Sequence, residues 1–384
     1  MMQGRLFEAD GWARLPDLLD DDEKICAVAL TLVSSPAGSG IWRGISSRMP
    51  SELYRILECY GAPEIQAHIA GAYTGTPVDA ARRIMERTVN GSIRVMTIWE
   101  REYPPLLREI PYPPIVLYVV GDCNVPRAVA VVGTRRADPK SALIARRIGQ
   151  DLAGSGYAVV SGMAIGIDRE AHLGALDAGG VTIGVLPTGI DIVYPWANHD
   201  LFLRVRSTAG SGLVSEYPPG VNMAGKWTFA QRNRIISGLC AGTVVVKAPE
   251  RSGALITARH ALEQNRDVFA CAGHSFDGEY AGCHRLIRDG AVLVSTTQDI
   301  IDGLGSQVFV RGPATGSAPA AAKEELPDPA TCAGRIMRLL SEREYEVDGL
   351  VRETGGSTGE VNEAIVALEL EGKILRSGNL ISRL

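Results

Sequence analysis

Between residues 127 and 302 the apolar positions fall in short, β-branched runs: Ala128 to Val132, Tyr157 to Val160, Val181 to Val185, Gly212 to Ser215, Val244 to Val246, Val268 to Ala270 and Ala291 to Val294. Amphipathic stretches separate them. Runs that are apolar on both faces predict strands buried on both sides, and the alternation with helices predicts a mostly parallel, doubly wound α/β sheet. From Glu23 to about Arg87 the spacing is instead helical, as in Ile25 to Leu30 and Leu53 to Leu57, which predicts a small helical domain. Tyr103-Pro104-Pro105 and Pro111-Tyr112-Pro113-Pro114 mark a stiff connection into a further strand, Ile115 to Val120. After Leu304 the chain turns to Gly, Ala, Ser and Pro, the composition of a flexible linker. Helices over Ala333–Leu340, Asp348–Glu353 and Ser357–Glu371 and a hairpin turning at Gly378 and Asn379 then predict a winged helix. The expected domains are 1–105, helical; 106–304, the α/β core; 305–331, linker; and 332–384, winged helix.

A chain of 384 residues, 46% of them hydrophobic, can bury a full core in two or three domains. Seven widely spaced cysteines with no Cys-x-x-Cys pair fit the reduced thiols of a cytosol. No uncharged apolar run reaches the ~18 residues of a membrane span, and the first twenty residues carry acids where a signal peptide would be apolar. A soluble, cytoplasmic protein without a membrane partner is expected. The net charge of −5 argues at first against nucleic acid, but it is unevenly spread. Residues 127–302 carry 18 Lys and Arg against 16 Asp and Glu, whereas residues 1–126 carry 12 against 16 and residues 332–384 carry 7 against 9. Only clustering of the central cations would make that small surplus matter.

Candidate chemistry sits where the predicted strands end. Gly133-Thr134-Arg135-Arg136, Ser161-Gly162 through Gly166 to Asp168, and Thr188-Gly189 through Asp191 to Tyr194-Pro195 follow the first three strands. Glycines there let backbone N–H groups approach an anion, and each following helix adds its dipole, although a tight strand-to-helix turn needs glycine equally. Neither a complete Gly-x-Gly-x-x-Gly nor a Gly-x-x-x-x-Gly-Lys-Ser/Thr occurs, so no NAD or ATP chemistry and no cofactor is expected. From Lys226 to Arg234 two aromatics, Trp227 and Phe229, interleave with Lys226, Arg232 and Arg234. Ile235, Ile236 and Leu239 recur at helical spacing, so Lys226, Trp227 and Phe229 are expected in a loop before that helix. Cations beside flat rings suit a single nucleic-acid strand, whose phosphates want charge and whose bases want a π-face. Arg232, Asn233 and Arg234 fit a solvated helix face as well. Asp168 and His172 stand four apart and are expected as a helix cap satisfied by its histidine, in preference to an acid/base pair. Cys271 with His274 and Cys283 with His284 are expected as core and loop residues in preference to zinc ligands.

The motifs Val132 to Arg135, Ser161 to Asp168 with His172, Gly189 to Pro195 with Asn198, Ser215 to Pro218, Phe229 to Leu239 and Ser252 to Ala258 resemble, in register, those of the DNA processing protein A (DprA/Smf) family. The flanking helical (SAM or helix-hairpin-helix-like) and winged-helix domains are similar to that family's as well. The resemblance implies an extended Rossmann-like fold and an accessory protein, not a catalyst. Such a protein binds single-stranded DNA, protects incoming DNA, loads the RecA recombinase during natural transformation and pairs into a homodimer through the core. It puts the DNA pocket on Arg135, Lys226, Phe229, Asn233 and Arg251. Gly133, Thr134, Gly162, Gly189, Arg232, Arg234, Ser252 and Gly253 complete the expected DNA-binding set. Two departures touch a neighbouring loop: Ala272-Gly273 stands where the family has Pro-Gly, and His284 where it has Asn. The rival reading is a nucleoside-monophosphate phosphoribohydrolase on the same kind of sheet, but its Pro-Gly-Gly-x-Gly-Thr-x-x-Glu motif does not occur here. A winged-helix regulator would want a basic recognition helix, where this chain has Glu360, Glu363, Glu369 and Glu371.

Overall fold

Along Ala128–Val132 every side chain is buried, and the faces alternate: Ala128, Ala130 and Val132 enter one apolar cluster, Val129 and Val131 another. Two-sided burial of this kind is what an all-apolar strand requires, and it makes this run the middle of the sheet. The computed structural model describes residues 16–34, 45–59, 64–66, 69, 72–222, 226–305, 331–340, 345–370, 374–377 and 380–383.

The strands in chain order are β1 (Val33–Ser34), β2 (Glu64–Ile65), β3 (Arg94–Thr97), β4 (Val116–Gly121), β5 (Ala128–Val132), β6 (Ala158–Ser161), β7 (Thr182–Leu186), β8 (Gly212–Ser215), β9 (Gly242–Val245), β10 (Asp267–Cys271) and β11 (Val292–Val294). Nine of them form one sheet in the order β11-β10-β9-β5-β6-β7-β8-β4-β3. From β11 to β8 every pairing is parallel; β4 joins β8 and β3 joins β4 antiparallel. The doubly wound sheet of the sequence reading is therefore present, with one difference. Residues 94–97, inside the stretch expected to be helical, are recruited as an edge strand because Val95, Met96 and Thr97 are buried against β4.

Helices Asp21–Leu32, Pro50–Cys59 and Pro77–Asn90 precede the sheet, and their buried residues share one apolar cluster with Tyr118 of β4 and Val245 of β9. Pro77–Asn90 starts in a capping box, with Thr76 and Asp79 satisfying each other's backbone N–H groups. Across the sheet, helices Pro139–Gly154, Ile167–Asp177 and Thr297–Gly305 contribute to the second cluster. Residues 309–384 form a separate unit. Within it, helices Cys332–Leu340, Val347–Thr354 and Thr358–Leu370 pack with the small antiparallel sheet β12 (Tyr345–Glu346), β14 (Leu380–Arg383) and β13 (Ile374–Ser377) around Ile336, Leu350, Ile365 and Ile381. This is the three-helix, winged arrangement expected. Residues 306–330 of the expected linker and the turn at Gly378 and Asn379 lie outside the described residues.

The helices Pro139–Gly154 and Ile167–Asp177 meet backbone to backbone. A Cβ at Gly174 would overlap the carbonyl oxygen of Arg146, and one at Gly149 that of Ala171. Gly174→Ala gains about 1 kcal/mol of helix propensity, but overpacking against a main-chain atom costs typically about 1–3 kcal/mol. The variant is therefore expected to unfold at lower urea than wild type; an equal or higher midpoint would show that the helices have room between them.

Candidate nucleic-acid interface

From β5 the chain winds outward through β6 and β7 to β8, then returns over the sheet to lay β9 on the other side of β5. The connections leaving β5 and β9 therefore run in opposite directions, and a crevice opens beyond their carboxyl ends, the place where open α/β sheets bind ligands. The ladder continues for two more bonds, Val246 N–H to Val132 O at 3.0 Å and Thr134 N–H to Lys247 O at 2.8 Å, before the loops separate. Beyond lies a cleft of about 610 Å³. Gly133, Thr134, Arg135 and Arg136 form one wall, Pro249, Arg251, Ser252 and Gly253 the other, and Phe229, Arg232 and Asn233 of the helix Lys226–Gly238 the floor.

Both walls favour an anion. Ser252 caps the helix Gly253–Glu263, accepting the Ala254 N–H at 3.3 Å, and a Cβ at Gly253 would meet nothing within 4 Å. The helix thus presents its first turn and the positive end of its dipole to open space in the cleft. Arg135, Arg136 and Arg251 are all exposed, and none has a carboxylate partner among the described residues. Gly166, at φ +81°, lets its loop press on the carbonyl of Thr134, where a side chain would collide, and so fixes the wall that carries Arg135.

Phe229 sits in the first turn of its helix, and so does Lys226, where the sequence predicted a loop. The apolar period that marks a helix is missing there, and Phe229 and Ala230 line the cleft. The Arg135 guanidinium lies 4.6 Å from the Phe229 ring centroid, Arg232 5.9 Å, and the Tyr194 ring 5.6 Å at a tilt of 48°. One turn on, Arg232 is only 4% exposed. Its Nη1 donates to the carbonyls of Gly162 and, at 2.5 Å, of Val185, at the ends of β6 and β7. Its Nε donates to Asn233 Oδ1 at 3.2 Å, and Asn233 Nδ2 reaches Gly253 O at 3.3 Å. Burial lowers the Arg232 pKa to about 10, opposed by the charge of Asp168.

Asp168 is itself buried. Desolvation raises its pKa, while Arg232 and the Gly162 N–H, 3.0 Å away, hold it down. It does not cap its helix: the cap position is Gly166, and the carboxylate reaches back to the preceding loop instead. Nor does it meet His172, whose Nδ1 is 2.6 Å from Thr182 Oγ1. That hydroxyl gives its only proton to Val159 O at 2.7 Å, so Nδ1 must carry the proton between ring and hydroxyl. Burial, with Arg232 nearby, lowers the His172 pKa to about 3. Cys271 is buried at the end of β10, Cys283 donates to Val245 O at 3.7 Å, and His284 contacts the Gly273 carbonyl at 3.3 Å.

Gly133, Thr134, Arg135, Phe229, Arg232, Asn233, Arg251, Ser252 and Gly253 are thus brought together, Arg232 and Asn233 as braces of the floor. Three expected residues lie elsewhere. Arg234 pairs with Glu216 at 2.5 Å and is largely buried. Gly162 lies beneath Arg232, where a Cβ would stand 2.5 Å from the guanidinium. Gly189 packs on the carbonyl of Pro218. The Lys226 side chain lies outside the described residues. Arg136 and Tyr194, which lie in loops named from the sequence but outside the expected DNA-binding set, also belong to the site, as does Glu279, an acid on the rim with no local signal.

Residues 94–305 match the family model for DNA recombination-mediator protein A, and residues 318–379 match the DprA winged helix domain. The DNA processing protein DprA of Streptococcus pneumoniae is 43% identical over 203 residues, covering 52% of this chain and 70% of that protein. Protein Smf of Synechocystis is 42% identical over 213 residues, 53% of this chain; the match spans about half, 52%, of that relative's length. The X-ray structure of DNA processing protein A from Streptococcus pneumoniae superposes with a TM-score of 0.54 at 30% identity, covering 78% of this chain and 98% of that one.

The His172 pKa makes stability depend on pH. The folded value of about 3 lies below the ordinary 6.5. Below pH 6.5 the unfolded chain therefore binds a proton that the native state refuses, and stability falls as pH drops towards 3. The slope from this one group is at most about 1.4 kcal/mol per pH unit. His172→Gln is expected to flatten the dependence of unfolding free energy on pH between 6 and 4 by up to that amount, and parallel wild-type and variant curves would refute it.

Proposed function

The chain belongs to the DNA recombination-mediator protein A family, and from that premise we propose that its cleft binds single-stranded DNA and delivers it to recombination. The observation that carries the reading is the convergence of Arg135, Arg136 and Arg251, exposed and without carboxylate partners among the described residues, on a cleft that also receives a helix N-terminus. Phosphates fit both features. Arg135 and Arg251, on opposite walls, take successive phosphates of one strand. Phe229 holds the Arg135 guanidinium against its ring face and presents what remains of the ring to a base. Asn233 and Arg232 keep helix and walls in register from below.

The family's further role, loading the RecA recombinase onto the strand as a homodimer that protects incoming DNA during natural transformation, is proposed on the same membership. Loading requires stoichiometric binding and release and no bond-making. Adding the protein to RecA and single-stranded DNA coated with single-strand-binding protein is expected to shorten the lag of RecA filament growth; an unchanged lag would confine the function to binding. Release of free base from AMP would instead make the protein a phosphoribohydrolase.

Binding itself is tested on a labelled oligonucleotide beside its duplex, and the single strand is expected to bind more tightly. Arg135→Ala should lower the slope of log affinity against log salt by about 0.7, the share of one single-strand phosphate contact. An unchanged slope removes Arg135 from the contact. Phe229→Ala is expected to weaken binding by about 1–3 kcal/mol, and because the two side chains touch, the double variant should depart from additivity by roughly 0.5–3 kcal/mol. Additive losses would mean that Phe229 does not act through Arg135.

A further inference from the structure

The cleft does not end at Phe229. Tyr194 packs on that ring, and two residues later in the same loop Trp196 stands 72% exposed. Two residues of chain reach at most about 7 Å, so the Trp196 backbone lies within that distance of the Tyr194 backbone. The loop follows β7, on the side of β5 that leads away from Arg251. Phe229, Tyr194 and Trp196 are therefore neighbours at the carboxyl edge of the sheet.

Trp196 is exposed yet held. Its indole lies against the His199 ring, centroids 4.6 Å apart at a tilt of 33°, while most of its surface is open. It begins the short 3-10 turn Trp196–Asn198, and that turn is tied down on both sides. Asn198, 1% exposed, donates to Met163 O at 2.8 Å, and Arg169 bonds both Asn198 at 3.1 Å and Asp200 at 2.6 Å. The ring lies outside the apolar clusters and is largely open to solvent. A flat, preorganised π-surface of this kind loses little entropy when a planar ligand is laid on it, and any of the four bases can serve.

We infer that Trp196 is a base-stacking platform that extends the single-strand site beyond the cleft, with a base of the emerging strand continuing the His199–Trp196 stack. The inference rests on the reading of the cleft as a single-strand site and assigns the direction of the strand's exit, towards β7.

The test compares wild type, Trp196→Ala and Trp196→Phe on oligothymidylates of increasing length. The shortest oligonucleotide that wild type retains should bind all three proteins alike, because it fills the cleft alone. On longer strands wild type should gain affinity and Trp196→Ala should fall behind by about 5- to 150-fold, the range for losing one stacked base, with Trp196→Phe between them. The thermal midpoint should be unchanged, as fits a side chain outside the core. Equal affinities of wild type and Trp196→Ala at every length would overturn the platform. So would an equal loss at every length, which would place the indole's effect inside the cleft. If wild type binds no oligothymidylate at all, it is the reading of the cleft that fails.

Discussion

A guanidinium taken out of water must find all its partners inside the protein, and at Arg232 those partners are the ends of the sheet. Burying such a charge costs several kcal/mol, offset here by two strand-end carbonyls, the Asn233 amide oxygen and the field of Asp168. The exchange fixes a distance. The helix Lys226–Gly238 can sit only where its guanidinium reaches Gly162 and Val185 together. Phe229 lies three residues before Arg232 on that helix and Asn233 one after, so the floor of the cleft inherits the position. Through the Asn233 bond to Gly253 the constraint passes to the N-terminus of the next helix, and through the Phe229 ring it passes to Arg135.

The charge of the cleft arises by subtraction. In the central segment Arg146 bonds Glu170 and Asp177, Arg204 bonds Asp177, Arg169 bonds Asp200 and Arg234 bonds Glu216. Lys247, beside the cleft, is taken by Asp138 and lies over the Tyr280 ring. Arg135, Arg136 and Arg251, which have no ion pair among the described residues, share the loops at one edge, so a surplus of two over 176 residues understates the local field. Screening confines that field to about 8–10 Å in physiological salt, so a net-acidic chain can still present a cationic site.

The sheet was legible because its strands are buried on both faces and advertise it by uninterrupted apolar runs. β3 was not, being four residues long and opening with the exposed Arg94. The site was legible as a set of loops, since strand ends and glycines mark them, but not as a set of roles. Arg232, Asn233 and Arg234 are consecutive, and on a helix each points about 100° from the last: one goes into the core, one to Gly253, one to Glu216. No local pattern separates a buried cation from a ligand-facing one. That difference is set by Gly162 and Val185, far away in sequence. Asp168 and His172 do not meet, because each finds a nearer fit across a loop: Asp168 takes the Gly162 N–H and His172 pairs with Thr182.

The return of the chain across the sheet also sets a schedule. The two walls of the cleft are more than a hundred positions apart in the chain, Arg135 on one and Arg251 on the other. At about 5–20 residues per second, several seconds of translation separate the first arginine from the second, and the helix that supplies the amide end comes last of all. Until then the nascent polypeptide holds only half of an anion site, next to the messenger RNA that encodes it. Strand order thus delays completion of the anion site until the wall that follows β9 has been synthesised.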